Sequence, residues 1–183
     1  MRSRNLITAT MLGVLVFLIK GPLLAPYADF LVIFEAILIS IGYALLGRGG
    51  ATYVEVVNGI LLTIYTGITV PALAIFVLPL ALLFGALTDI MATLLKAKVG
   101  PEVKSKMLAI AVTISAGLTG VVAYIITVPT LLSLGLLGPT PSSSTVLTFG
   151  IILIIVGVSE GAAGGFIAAR IWERNLKARF GSV

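Results

Sequence analysis

The chain contains no cysteine and no histidine. Disulfides, thiolate nucleophiles, imidazole acid–base chemistry and the commonest transition-metal ligands are excluded together. Charge is scarce as well. Asp, Glu, Lys and Arg make up 10% of the 183 residues, whereas soluble domains average about 25%, so this chain cannot cover a water-facing surface. The phosphate-binding P-loop, the G-x-S-x-G nucleophile elbow, the H-E-x-x-H zinc motif and the paired aspartates of lipid-headgroup transferases are all missing. A serine with no histidine and no convincing lysine beside it is a poor nucleophile. An enzyme is therefore the least favoured class, and no cofactor or metal is expected. With no ATP site in view, uphill movement of a solute would draw on a partner protein or an ion gradient. Low-complexity segments are absent, and the lack of a convincing internal repeat weighs against the inverted-repeat transporter plan.

What the chain does have is apolar length. It is 59% hydrophobic, with a mean hydropathy of +1.20. At about 20 residues per membrane span, there is room for five to seven helices and little else. The apolar runs predict spans over 6–24, 29–46, 52–68, 71–95, 107–128 and 145–171, forming a single transmembrane domain over 1–183. Helices are expected because each span must satisfy its own backbone polar groups, and the runs lack the period-2 alternation of a barrel. Gly21-Pro22 and Pro26 end the first span, Gly47-Arg48-Gly49-Gly50 makes a tight turn, and Pro71 suits the first turn of a helix. Pro79 is expected to kink the fourth span. Arg2 to Ile19 has the build of a signal peptide, with Ala25-Pro-Tyr-Ala28 as a weak cleavage site; we read it as the first span.

The cations give the orientation. Arg2 and Arg4 precede the first span, Arg48 lies between the second and third, Lys96, Lys98, Lys104 and Lys106 lie between the fourth and fifth, and Arg170, Arg174, Lys177 and Arg179 follow the sixth. The other three connections carry no Lys or Arg, and Lys20 alone falls outside the pattern. The positive-inside rule then predicts an all-α integral membrane protein, a six-transmembrane-helix bundle with both termini cytoplasmic, multi-pass in the cell membrane. The sequence pI near 9.8 would point to nucleic acid in a soluble protein. Here it reflects topology, and no nucleic acid partner is expected.

Function must be sought in the few polar residues of the spans. Asp29, Glu35, Glu55, Asp89 and Glu160 lie within or at the edge of apolar segments. Each charge at mid-bilayer depth costs roughly 2.5–3.5 kcal/mol on insertion scales, so each is paired, faces a cavity or lies near water. Lys20 and Glu35 stand at nearly equal distances on either side of the turn near Tyr27 and Ala28. An antiparallel hairpin brings them to one depth, either as a structural ion pair or with Glu35 turned to an outward cavity. Glu55 and Asp89 are expected near the cytoplasmic ends of their spans, paired with Arg48, Lys96 or Lys98, and Glu55 shares a helix face with Asn58. Glu160 has no basic residue within two turns on its own helix and precedes the small-residue stretch Gly161 to Gly165, so it is either a pocket wall or part of a packing seam. Tyr27, Phe30, Phe34, Tyr65, Phe76 and Tyr124 are outward aromatics. They suit either a membrane belt or a pocket for a flat cation. Ala9-x-x-x-Gly13 lets helix backbones touch.

Three stretches carry a family resemblance: Arg4-Asn-Leu-Ile-Thr-Ala-Thr-Met-Leu-Gly13, Leu80-Ala-Leu-Leu-Phe-Gly-Ala-Leu-Thr-Asp89, and Gly161-Ala-Ala-Gly-Gly-Phe-Ile-Ala-Ala-Arg170. With its size, basic character and six spans, the chain resembles the substrate-binding membrane subunit (S component) of energy-coupling factor (ECF) vitamin transporters. The resemblance implies a vitamin-like ligand bound near the outer face. It also implies partners in the membrane: a transmembrane coupling protein and two ATPase subunits, on which the subunit topples among the lipids. Glu35, Tyr65, Tyr124 and Glu160 would form the wall of the pocket and Pro129 to Ser144 its lid. Ala9 and Gly13 would dock the coupling protein, although the family more often has a second alanine where Gly13 stands. Acidic wall residues favour a cationic or amine-bearing ligand such as thiamine or its pyrimidine precursor. Two other readings compete: an accessory subunit of a larger membrane complex, and a stand-alone carrier in which Glu35, Glu55, Asp89 and Glu160 relay ions.

Overall fold

The computed structural model describes residues 3–23, 32–97, 103–133 and 143–176. The described residues form α1 (Ser3–Leu18), α2 (Val32–Leu46), α3 (Gly50–Thr69), α4 (Pro71–Leu94), α5 (Ser105–Ser133) and α6 (Ser143–Ile171). Two π-helical turns continue α1 and α6, Ile19–Leu23 and Trp172–Leu176. Five of the helical segments are long and apolar enough to cross a membrane; α2, at 15 residues, is shorter. Many large apolar side chains face outward: Met11, Ile68, Ile75, Leu94, Ile125 and Ile155 are all exposed. Asn5, Glu35, Ser40, Glu55, Asn58, Thr88, Asp89 and Ser115 are buried. Apolar outside and polar inside is the distribution expected where lipid, not water, surrounds the bundle.

The short helix is the central one. α2 packs against α1, α3 and α6 and touches α4 and α5, so nine of its fifteen residues are buried. The remaining helices close around it through α1–α3, α3–α4, α4–α5 and α5–α6 contacts. Glycines set several of these seams. A Cβ at Gly42 would meet the Gly50 carbonyl oxygen at 3.0 Å, and one at Gly164 would meet the Ile33 carbonyl oxygen at 2.7 Å. The backbones of α2 and α3, and of α2 and α6, therefore run closer than any side chain would allow.

The contacts also fix direction. Asn5 Nδ2 donates to the Leu45 carbonyl while Lys20 reaches Glu35, so α1 and α2 are antiparallel. The turn Gly47–Gly49 then reverses the chain, with Gly47 and Gly49 at φ of 77° and 88°, values that favour glycine. Gly59 lies against Leu78 and Gly85 against Thr52, which makes α3 and α4 antiparallel; Gly117 lies against Val158 and Gly165 against Ala109, which does the same for α5 and α6. Trp172, Leu45 and Val103 share one apolar cluster. Asn5, the Arg48 turn, the α4–α5 connection and the C-terminal π turn are thereby gathered at one end of the bundle.

Helix limits differ from the expected spans in one instructive place. Pro129, expected to begin a loop, lies inside α5, which continues to Ser133. Pro79 lies within α4, Pro71–Leu94, inside the span expected there. A membrane helix tolerates proline where neighbouring groups re-satisfy the freed carbonyl.

Candidate functional site

The most chemically loaded place is the seam of α1, α2 and α3. The π turn Ile19–Leu23 carries Lys20 toward α2, where its Nζ lies 2.8 Å from Glu35 Oε2. Glu35 is 4% exposed, so its carboxylate belongs to this pair and does not open on a cavity. On the α3 side, Asn58 Nδ2 donates to Glu55 Oε2 at 2.9 Å and reaches Glu35 Oε1 at 3.5 Å. One amide nitrogen thus serves both carboxyls. Glu55 is fully buried, and its i, i+3 spacing from Asn58 puts the two on one face of α3. Four polar groups from three helices form one buried chain: Lys20, Glu35, Asn58, Glu55. Two atoms in it, Glu55 Oε1 and Asn58 Oδ1, are buried with no hydrogen-bond partner.

Glu55 therefore turns toward Lys20 and Glu35, not toward Arg48 or Lys96 as expected. Asp89 also has a different role. The Ala51 and Thr52 amides donate to its Oδ1 and Oδ2 at 3.3 and 2.8 Å, and the Thr52 hydroxyl donates to Oδ2 at 2.6 Å. A carboxylate from α4 thus caps the N-terminus of α3, where free N–H groups and the helix dipole favour a negative charge. Asp29 and Lys98 lie outside the described residues.

The expected pocket residues fall on separate seams. Tyr65, half-buried near the end of α3, meets the Phe17 ring edge-on at a centroid distance of 6.2 Å. Tyr124 of α5 lies against Gly150 of α6, whose absent Cβ would sit 2.6 Å from the tyrosine ring. Glu160 is half-buried, ten residues further along α6 and about 15 Å from Gly150 at 1.5 Å per residue. It precedes Gly164 by one turn on the face that packs on Ile33 and Ala36 of α2. Tyr65 thus belongs to the α1–α3 seam, Tyr124 to the α5–α6 seam, and Glu160 to the α6 face turned to α2, the helix that carries Glu35. Most of the expected lid, 134–142, and the outward aromatics Tyr27 and Phe30 lie outside the described residues.

Ala9 and Gly13 face inward. Ala9 is fully buried, and a Cβ on Gly13 would meet the Val54 carbonyl oxygen and Val57 Cβ at 2.7 Å. The stripe seats α1 on α3 and is covered by the chain itself, so in this conformation it offers no surface to a coupling protein.

Asn58 is the site residue that the sequence reading left without a role of its own. Its spacing from Glu55 was visible; its reach to Glu35 depends on α2 and α3 meeting. No family model, curated protein or solved structure matches this chain.

Proposed function

We propose that this chain spans the membrane six times with both termini in the cytoplasm. In this reading it is the substrate-binding subunit of an ECF-type importer, capturing a vitamin or vitamin precursor at the outer face for ATP-driven uptake by a partner module. The observation that carries the proposal is the up-and-down bundle whose cations collect at one end: Arg4, Arg48, Lys96, Lys104, Lys106, Arg170 and Arg174 all lie on the ends and connections gathered there. The described connection at the opposite end, between α3 and α4, carries no Lys or Arg, which agrees with an outward substrate side. The family resemblance supplies the role. In this reading Glu160, on the α6 face that packs on α2, helps to attract a cationic or amine-bearing ligand, with Tyr65 and Tyr124 in the outward halves of their helices. Contact with the coupling protein then uses a surface other than Ala9 and Gly13.

The buried carboxyl pair favours a second reading, a stand-alone ion-coupled carrier, since surplus acid inside a membrane bundle is characteristic of ion pathways. One experiment separates the two. The tagged chain is purified from membranes of its source organism and reconstituted in liposomes. An importer subunit co-purifies with a membrane protein and two ATPases, and vitamin uptake needs ATP. Uptake by the purified chain alone, driven by an ion gradient, would overturn the importer assignment.

A further inference from the structure

The Lys20–Glu35–Asn58–Glu55 chain does not balance. Two carboxyls face one ammonium, and the bundle around them is dry enough that Glu55 is fully buried and Glu35 4% exposed. A full negative charge left over there is strongly disfavoured. The hydrogen bonds show where the imbalance falls. Glu35 receives Lys20 and Asn58, whereas Glu55 receives Asn58 on Oε2 and nothing on Oε1. Asn58 Oδ1, also buried, accepts nothing either. The cluster has bare acceptors and lacks a donor.

We propose that this seam is a proton-binding site: Glu55 holds one exchangeable proton. A proton on Glu55 converts its bare oxygen into a donor, with Glu35 Oε1 and Asn58 Oδ1 as the acceptors at hand, and it brings the cluster to zero net charge. Lys20 is the member that reaches the surface, with 19% of its side chain exposed against 5% for Glu35, so the way in and out runs past it. Its turn contains Pro22, which has no N–H to give to the ladder, and Gly21, which packs close to Phe17 and Leu62. The charged neighbours are few. The π turn brings Lys20, α2 brings Glu35, and α4 brings Asp89, one turn beyond Gly85, which packs on Glu55 Cβ. Asp89 is already engaged by Ala51 and Thr52. Between Arg4 and Lys20, α1 carries no titratable residue. This inference holds under either reading of the protein's function.

The test is the pH dependence of stability, measured by urea titration of the detergent-solubilised protein. A proton held by the folded chain and released by the unfolded one lowers the folded-to-unfolded ratio about tenfold per pH unit above the ordinary glutamate value near 4.3. Stability is then greatest in acid and falls as pH rises. Glu55→Gln, which keeps the shape of the protonated acid, abolishes that slope. An infrared carboxylic-acid band present at neutral pH and lost in Glu55→Gln is the companion readout and needs no unfolding. An unchanged slope and an unchanged band in Glu55→Gln would overturn the proposal. So would a site that is stabilised by sodium and not by choline at constant pH, which would make the occupant a metal cation.

Discussion

At the scale of single residues, two of the buried carboxyls, Glu35 and Asp89, have partners that their positions dictate. Lys20 and Glu35 neutralise each other, and Asp89 is neutralised by backbone N–H groups at the start of α3. The Lys20–Glu35 pair was legible in the sequence because two residues equidistant from a hairpin turn must meet at one depth. The capping role of Asp89 was not legible. It depends on α3 starting beside the end of α4, which only the packed bundle defines. Asn58 was half legible, for its bond to Glu55 is local and its reach to Glu35 is not. The pair makes a definite prediction. Lys20→Met strands a buried carboxylate and destabilises the fold by about 3–5 kcal/mol at neutral pH, whereas Lys20→Met with Glu35→Leu removes both charges and costs much less. Equal losses for the single and double variants in chemical denaturation would contradict the pair.

At the scale of elements, small residues decide which helices touch. The apolar runs announced the helices because a membrane segment has no other way to satisfy its backbone. Their limits were less legible, since proline ends helices in water and is tolerated inside α4 and α5 here. The partner of each small-residue stripe could not be read at all: Ala9 and Gly13 suit any close helix, and in the structure that helix is α3. Gly13→Ala therefore destabilises the bundle by about 1–3 kcal/mol, the usual range for overpacking, because the new methyl meets a carbonyl oxygen and a Val57 carbon at 2.7 Å. Gly67→Ala is the control. Its nearest contact is Ala74 Cβ at 3.9 Å, and alanine is favoured over glycine in a helix by up to about 1 kcal/mol. Thermal denaturation of the two variants checks the contrast, and equal behaviour would place Gly13 on an open face.

At the scale of the whole molecule, a short central helix wrapped by five others leaves the polar groups inside and the apolar groups outside, and it gathers the described cations, Lys20 apart, at one end. The cation pattern was legible because charge placement sets insertion. The expected pocket was not, because Glu35, Tyr65, Tyr124 and Glu160 come from different helix seams and much of the expected lid lies in 134–142, outside the described residues. The central claim is that this molecule binds a small solute tightly enough to serve as the capture subunit of an importer. Native mass spectrometry of the detergent-purified chain, with a thermal-shift panel of vitamins beside it, tests that most directly. The account predicts a co-purifying vitamin-sized mass or a large stabilisation by one compound, since a ligand at 100 times its Kd adds about 2.7 kcal/mol, and it predicts that Glu160→Gln weakens the effect. A bare protein mass, with no vitamin in the panel shifting the melting temperature, would contradict it.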